Sequence, residues 1–261
     1  MGADKVRAKK HLGQHFLKDR RIAASTVGAL RADGCDTVIE VGPGMGVLTE
    51  YLADRKFPSF KVVEIDAESV DYLRANIGGI DEIITGDFLE LDLRTLGDRI
   101  ALIGNFPYNI SSQIFFRVLE NRDRVKEVVC MVQKEVAERI CSPPGSRVYG
   151  ILSVLLRAWY DIEYLFTVSE NVFSPPPKVK SAVIRLQRNE RKSLDCDEKL
   201  FISVVKRSFN QRRKMLRNPL KMLVRADAGE MPYLSMRAEQ LSVKQFEELT
   251  GWVAANRYQN E

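Results

Sequence analysis

The tetrad Asn105-Phe106-Pro107-Tyr108 has the residue types to activate a weak nucleophile. An Asn side-chain oxygen and a Pro backbone carbonyl are neutral acceptors, and the proline ring fixes φ in the turn that presents them. A planar exocyclic amine that donates through both N–H groups to such oxygens shifts toward sp³. A lone pair otherwise delocalised into its ring then becomes available to an electrophile. Tyr108 adds a ring on which a base stacks, worth about 1–3 kcal/mol per base. The plainer reading of the same string is a proline turn.

Upstream, Glu40-Val41-Gly42-Pro43-Gly44-Met45-Gly46 spaces its glycines so that the backbone turns sharply and approaches a ligand without Cβ contacts. A nucleotide-like cofactor is implied, although G-x-G-x-G departs from the G-x-G-x-x-G of dinucleotide pyrophosphate sites. Glu64, 18 residues beyond Gly46, stands where a carboxylate accepts ribose hydroxyl protons. Asp87, in Gly86-Asp87-Phe88, is placed to accept from an adenine amino group. Either carboxylate alone reads equally well as a loop cap, but three matches on successive strand ends argue for one crevice.

The elements that position these groups follow from periodicity. Strands are predicted over Thr37–Val41, Lys61–Ile65, Glu82–Thr85, Ile100–Gly104, Val128–Val132 and Ser181–Gln187. Helices are predicted over Val47–Arg55 and Lys134–Cys141, with Ile151–Tyr160 a buried apolar stretch. The alternation predicts an α/β doubly wound parallel sheet with its ligand beyond the strand C-terminal ends. After Gln187 the texture becomes polar and then helix-forming, with Phe209, Met215, Leu216, Leu220 and Leu223 spaced to give an apolar side. The expected domains are 1–187, with a basic N-terminal arm, and a small helical domain, 188–261.

Composition narrows the chemistry. At 45% apolar and 29% charged, the chain is ordinary for a globular protein. It has no apolar run long enough to span a membrane and no secretory leader, which points to a cytoplasmic protein. Cys35, Cys130, Cys141 and Cys196 show no metal-ligand spacing and read as reduced thiols. His11 and His15 are the only histidines, so a Ser-His-Asp triad or a histidine-rich metal site is poorly supported and no metal is expected. The net charge of +5 resides in residues 191–261. Lys5 to Arg21 carries seven basic residues against Asp19, and Lys199 to Arg225 carries nine with no acidic partner. Such runs are either solvated faces or polyanion surfaces, and clustered cations gain affinity for phosphates by releasing counterions. Arg212, Arg213 and Lys214, predicted on a helix beside apolar residues, are the RNA-contact candidates.

Five ordered motifs, the Glu40–Gly46 loop, Asn105–Tyr108, Gln14-His15-Phe16-Leu17, Gln133-Lys134-Glu135-Val136 and Phe173–Ser181, resemble those of KsgA-type small-subunit rRNA adenine dimethyltransferases from about Lys9 to Gln187. The resemblance implies a Rossmann-like S-adenosylmethionine-dependent methyltransferase sheet and a small C-terminal helical domain. It implies transfer of two methyls to N6 of each of two adjacent adenines near the 3′ end of 16S-type small-subunit rRNA in the pre-30S particle, by a monomer. By the same matching, cofactor-binding falls to His15, Leu17, Gly42, Glu64, Asp87 and Asn105. Asn105, Pro107 and Tyr108 hold the target adenine, with Phe173 stacking from its other side. His15 and Phe106 stand where the family commonly has Asn and Leu. The competing readings are a large-subunit rRNA methyltransferase of the antibiotic-resistance type, a non-catalytic RNA-binding assembly factor and, more weakly, a nicotinamide dehydrogenase.

Overall fold

Apolar runs buried on both faces make the central strands of a covered sheet. Thr37–Val41 is buried at every position and Ile100–Asn105 at all but its last. The structure, a computed structural model, describes residues 6–258; Lys5 of the basic arm lies outside the described residues. In chain order the strands are β1 (Phe16–Leu17), β2 (Thr37–Val41), β3 (Phe60–Glu64), β4 (Glu82–Thr85) and β5 (Ile100–Asn105). There follow β6 (Val125–Gln133), β7 (Tyr160–Val168), β8 (Phe173–Ser174) and β9 (Ser181–Arg188).

The main sheet has the order β4-β3-β2-β5-β6-β9-β7. β2 lies parallel to both β3 and β5, so the chain winds outward in two directions from β2. A topological switch point of this kind leaves a crevice beyond the carboxyl ends of the flanking strands. The architecture is the expected Rossmann-like α/β fold with one correction: the sheet is mixed, because β9 runs antiparallel to β6 from Glu127↔Gln187 to Gln133↔Ser181. β7 escapes sequence reasoning because its interior positions alternate irregularly between exposed and half-buried. The helix expected over Val47–Arg55 shortens to Thr49–Ala53, since the glycine turn extends to Leu48. A second, two-stranded sheet pairs β1 with β8, antiparallel, at Phe16↔Ser174 and Leu17↔Phe173.

The chain divides into two compact units, Met1–Ala137 with Asp161–Arg188, and Glu138–Tyr160 with Asn189–Glu261. The division at Arg188 falls beside the expected boundary, but Glu138–Tyr160 joins the second unit, which corrects the assignment of all of 1–187 to one domain. The physical reason is size: about 70 residues close a core poorly by themselves. The inserted segment brings Tyr149, whose ring packs 6.2 Å from Phe209, itself 6.1 Å from Phe246. Of the predicted apolar side, Phe209, Leu216 and Leu220 are buried, whereas Met215 is 39% exposed and Leu223 half-buried. In the first unit the core gathers Val38, Ile103, Met131 and Val183 from neighbouring strands. None of the four cysteines forms a disulfide. Among the described residues, no helix is long and apolar enough to cross a membrane.

Candidate active site

After β2 the backbone enters the left-handed region at Gly42, Gly44 and Gly46, with φ of 68°, 55° and 78°. A Cβ on Gly44 would lie 2.8 Å from the Phe16 ring, so glycine is required there both by conformation and by the N-terminal arm packed over the loop. The loop turns over Glu40, 1% exposed, whose Oε2 accepts from Thr49 Oγ1 at 2.7 Å. Burial pushes the Glu40 carboxyl up to about 8, the Thr49 bond lowers it, and the neighbouring Glu64 charge raises it again. At neutral pH it is therefore a neutral acid.

Glu64, the last residue of β3, is 4% exposed. Its two oxygens accept from the Gly44 N–H at 3.0 Å and the Asp66 N–H at 2.9 Å, which fixes the carboxylate at the crevice. Burial raises its pKa, and these backbone donors pull it back. Each oxygen keeps a lone pair for a further donor.

β5 delivers the tetrad. Asn105 Nδ2 donates to the His15 carbonyl at 2.9 Å. Because a carbonyl only accepts, this bond assigns the amide's orientation and leaves Oδ1 as the acceptor. The Pro107 carbonyl takes the Ile110 N–H at 3.2 Å, closing the turn and retaining one lone pair. Phe106 is fully buried, with its ring edge-on to Phe115 at 6.0 Å, so its substitution for leucine is absorbed by the core. The Tyr108 hydroxyl pairs with Ser181 Oγ at 2.5 Å, and its ring stacks on His15 with centroids 5.4 Å apart. Burial raises the Tyr108 pKa, partly offset by Ser181. His15 Nδ1 donates to the Pro175 carbonyl at 2.8 Å, which answers how histidine is accommodated where the family commonly has Asn.

These groups line one cleft, which includes His15, Leu17, Gly42, Glu64, Asn105, Pro107 and Tyr108. A second, open pocket, lined by Lys10, Gln133, Pro175 and Lys178, shares His15 and Tyr108 with the first. Two predicted residues line neither. Phe173, on β8, is 1% exposed and packs in the same core as Leu17, its partner on β1. Strand alternation turns into this core the ring that the resemblance assigns to stacking. Asp87 Oδ1 accepts the Leu89 N–H at 2.9 Å, the loop-cap alternative. Sequence reasoning missed Phe16, which covers Gly44, and Asp66, whose only signal was its position two residues after Glu64.

In the second unit, Arg212, Arg213 and Lys214 lie in the turn after helix Glu198–Asn210 rather than on a helix, which corrects the helical expectation. Arg212 donates to the Arg147 carbonyl, while Arg213 and Lys214 are exposed.

The family model for "Ribosomal RNA adenine dimethylase" matches residues 5–255. The chain belongs to the ribosomal RNA adenine dimethylase family. As a member it is an rRNA adenine dimethyltransferase that uses S-adenosylmethionine. It is similar to "Ribosomal RNA small subunit methyltransferase A" of Flavobacterium johnsoniae, 56% identical over 98% of this chain and 100% of the relative. The protein of that name from Parabacteroides distasonis is 57% identical over 94% and 93%. At the level of fold, a dimethyladenosine transferase from Plasmodium falciparum superposes with TM-score 0.76 at 22% identity, covering 90% of this chain and 96% of its own. The 23S rRNA methyltransferase ErmE does so with TM-score 0.70 at 24% identity, covering 92% and 99%. The donor set of the cleft fits the cofactor. Glu64 offers acceptors to ribose hydroxyls, Ile65 beside it is 50% exposed as an apolar surface for a base, and the glycine loop admits close approach.

Proposed function

We propose that this dimethyltransferase acts on the small ribosomal subunit, placing two methyls on N6 of each of two adjacent adenines near the 3′ end of 16S-type rRNA. The observation that carries the site assignment is the Asn105 Nδ2 bond to the His15 carbonyl, which leaves a neutral oxygen at the cleft. In the first transfer Asn105 Oδ1 and the Pro107 carbonyl accept hydrogen bonds from the two N–H groups of the target amine, localising the nitrogen lone pair. The proton the nitrogen then sheds leaves to solvent or a carboxylate. The N6-methyl substrate of the second transfer presents its single remaining N–H to the same pair. Tyr108 supplies the stacking ring. Leu17, Gly42 and Glu64 bind the cofactor, with His15 and Asn105 closing its site through their mutual bond. S-adenosylmethionine supplies a methyl carbon already made electrophilic by its sulfonium, so the protein's task is alignment rather than strong base catalysis. The target base must leave its stack to reach the cleft.

The second unit, through Arg213 and Lys214, contacts rRNA phosphates, and the protein works as a monomer on the pre-30S particle in the cytoplasm. The high identity to relatives named for the small subunit favours this over the large-subunit reading. The test is incubation of undermethylated small subunits with protein and labelled cofactor, followed by mass-spectrometric methyl counting and primer extension. Dimethylation of two adjacent 3′-terminal-region adenines supports the reading. Modification of large-subunit RNA, or none, overturns it.

A further inference from the structure

The N-terminal arm is fastened to the cleft at two places. At one, Phe16 covers Gly44 and the His15 carbonyl takes Asn105 Nδ2. At the other, Lys9 Nζ lies 2.5 Å from Asp66 Oδ1 and 3.2 Å from Glu68 Oε1. Gln14 Nε2 donates to the second oxygen of Asp66 at 3.1 Å, and the Lys9 N–H donates to Gln14 Oε1 at 2.7 Å, closing a ring of contacts. Asp66 is 2% exposed, and its own N–H holds Glu64. Although burial raises the Asp66 pKa, its bonds from Lys9, Gln14 and Ser69 outweigh that and hold it below the usual carboxylate range. A buried carboxylate kept ionised by a lysine on the arm is a clasp rather than an incidental surface pair, and neither Lys9 nor Asp66 lines the cleft.

We propose that Lys9 and Asp66 are positioning residues for cofactor binding, which hold arm residues 9–16 over the cleft and fix the Glu64 carboxylate without touching the cofactor themselves. The proposal rests on the cleft being the S-adenosylmethionine site. The clasp acts by preorganisation: the ordering of arm and carboxylate is completed before the ligand arrives, so less of the binding energy is lost to it. Groups that orient a binding residue from behind commonly matter to affinity in this way.

The experiment is calorimetric titration of the full chain with S-adenosylhomocysteine, using wild type, Lys9→Met, Lys9→Arg and Asp66→Asn. Lys9→Met is expected to raise the dissociation constant about three- to tenfold at low salt. Lys9→Arg restores it, and in steady state the loss falls on the KM for cofactor, with kcat at saturating cofactor and KM for RNA retained. Because the Asp66 end of the pair is buried and screened little, the gap between wild type and Lys9→Met persists as salt is raised. Tryptic cleavage after Lys10, a site both proteins keep, provides a second readout: ligand protects the arm in wild type and less so in Lys9→Met. Equal affinity of wild type and Lys9→Met at low salt, or a defect confined to the KM for RNA, overturns the clasp. Failure of wild type to bind the ligand overturns instead the assignment of the cleft.

Discussion

Glu64 and Asn105 stand at strand ends, nearly or partly buried, each held by backbone groups within 3.0 Å, whereas Arg213 and Lys214 stand exposed on a turn. The first arrangement selects one orientation of a small ligand, because a misplaced acceptor leaves a buried donor unpaired. The second supplies charge without fixed geometry, which is sufficient for a phosphate backbone, whose attraction is long-ranged and indifferent to sequence. Precision in this molecule is placed where strands stop, and adaptability where a helix ends. Removing one group from the cleft should therefore cost far more than removing one cation from the turn.

That contrast can be broken at either end. Asn105→Ala is expected to lower kcat by about 10²–10³-fold, the range for loss of a preorganised polar group aimed at the reacting atom, while the melting temperature stays near that of wild type. Single-turnover methyl transfer to undermethylated small subunits reads this, and normal transfer by the variant would remove the acceptor mechanism. Tyr108→Ala should raise the KM for RNA about 5- to 150-fold through lost stacking, with Tyr108→Phe, which loses only the Ser181 bond, affected much less.

Glu40 sharpens the point about buried carboxylates. Its unfolded carboxyl ionises near 4.5 and its folded one near 8, so between these values the folded chain keeps a proton that the unfolded chain has lost. Stability therefore falls as pH rises through that window, by at most about 1.4 kcal/mol per pH unit. Glu40→Gln should remove this fall, giving a melting temperature above wild type at pH 8.5 and a difference that shrinks toward pH 4.5. Equal pH profiles for the two proteins would refute the neutral acid. The smallest effect belongs to the turn: Arg213→Ala with Lys214→Ala should weaken RNA binding alike for all sequences and reduce the slope of log affinity against log salt by about two. Cofactor affinity should not change, and a loss of site selectivity would show that the turn reads more than charge.

The sheet's central strands were legible because a run buried on both faces has few alternatives to a covered parallel strand, and Thr37–Val41 matches to the residue; the edge strand Glu82–Thr85, half-buried at most, also matches. β7 was not, since its half-exposed pattern acquires meaning only beside β9. The same division runs through the site. Gly42, Glu64 and the Asn105 tetrad were readable because local sequence places them at strand exits. Phe173 and Asp87 were named from motif position, which says nothing about which way a ring points or which oxygen already has a partner. Lys9 and Asp66 lie 57 residues apart and carry no joint signal in the sequence.

The sequence alone determined the glycine turn, the neutral acceptors, the acidic strand end and the basic surplus, all of which depend on residue type and near neighbours. Only the tertiary structure decided that Phe173 belongs to the core, that residues 138–160 join the second unit, and that the arm is clasped through Asp66. These outcomes depend on which surfaces find a complementary partner once distant segments meet, a competition settled by packing and by the cost of leaving buried polar groups unpaired.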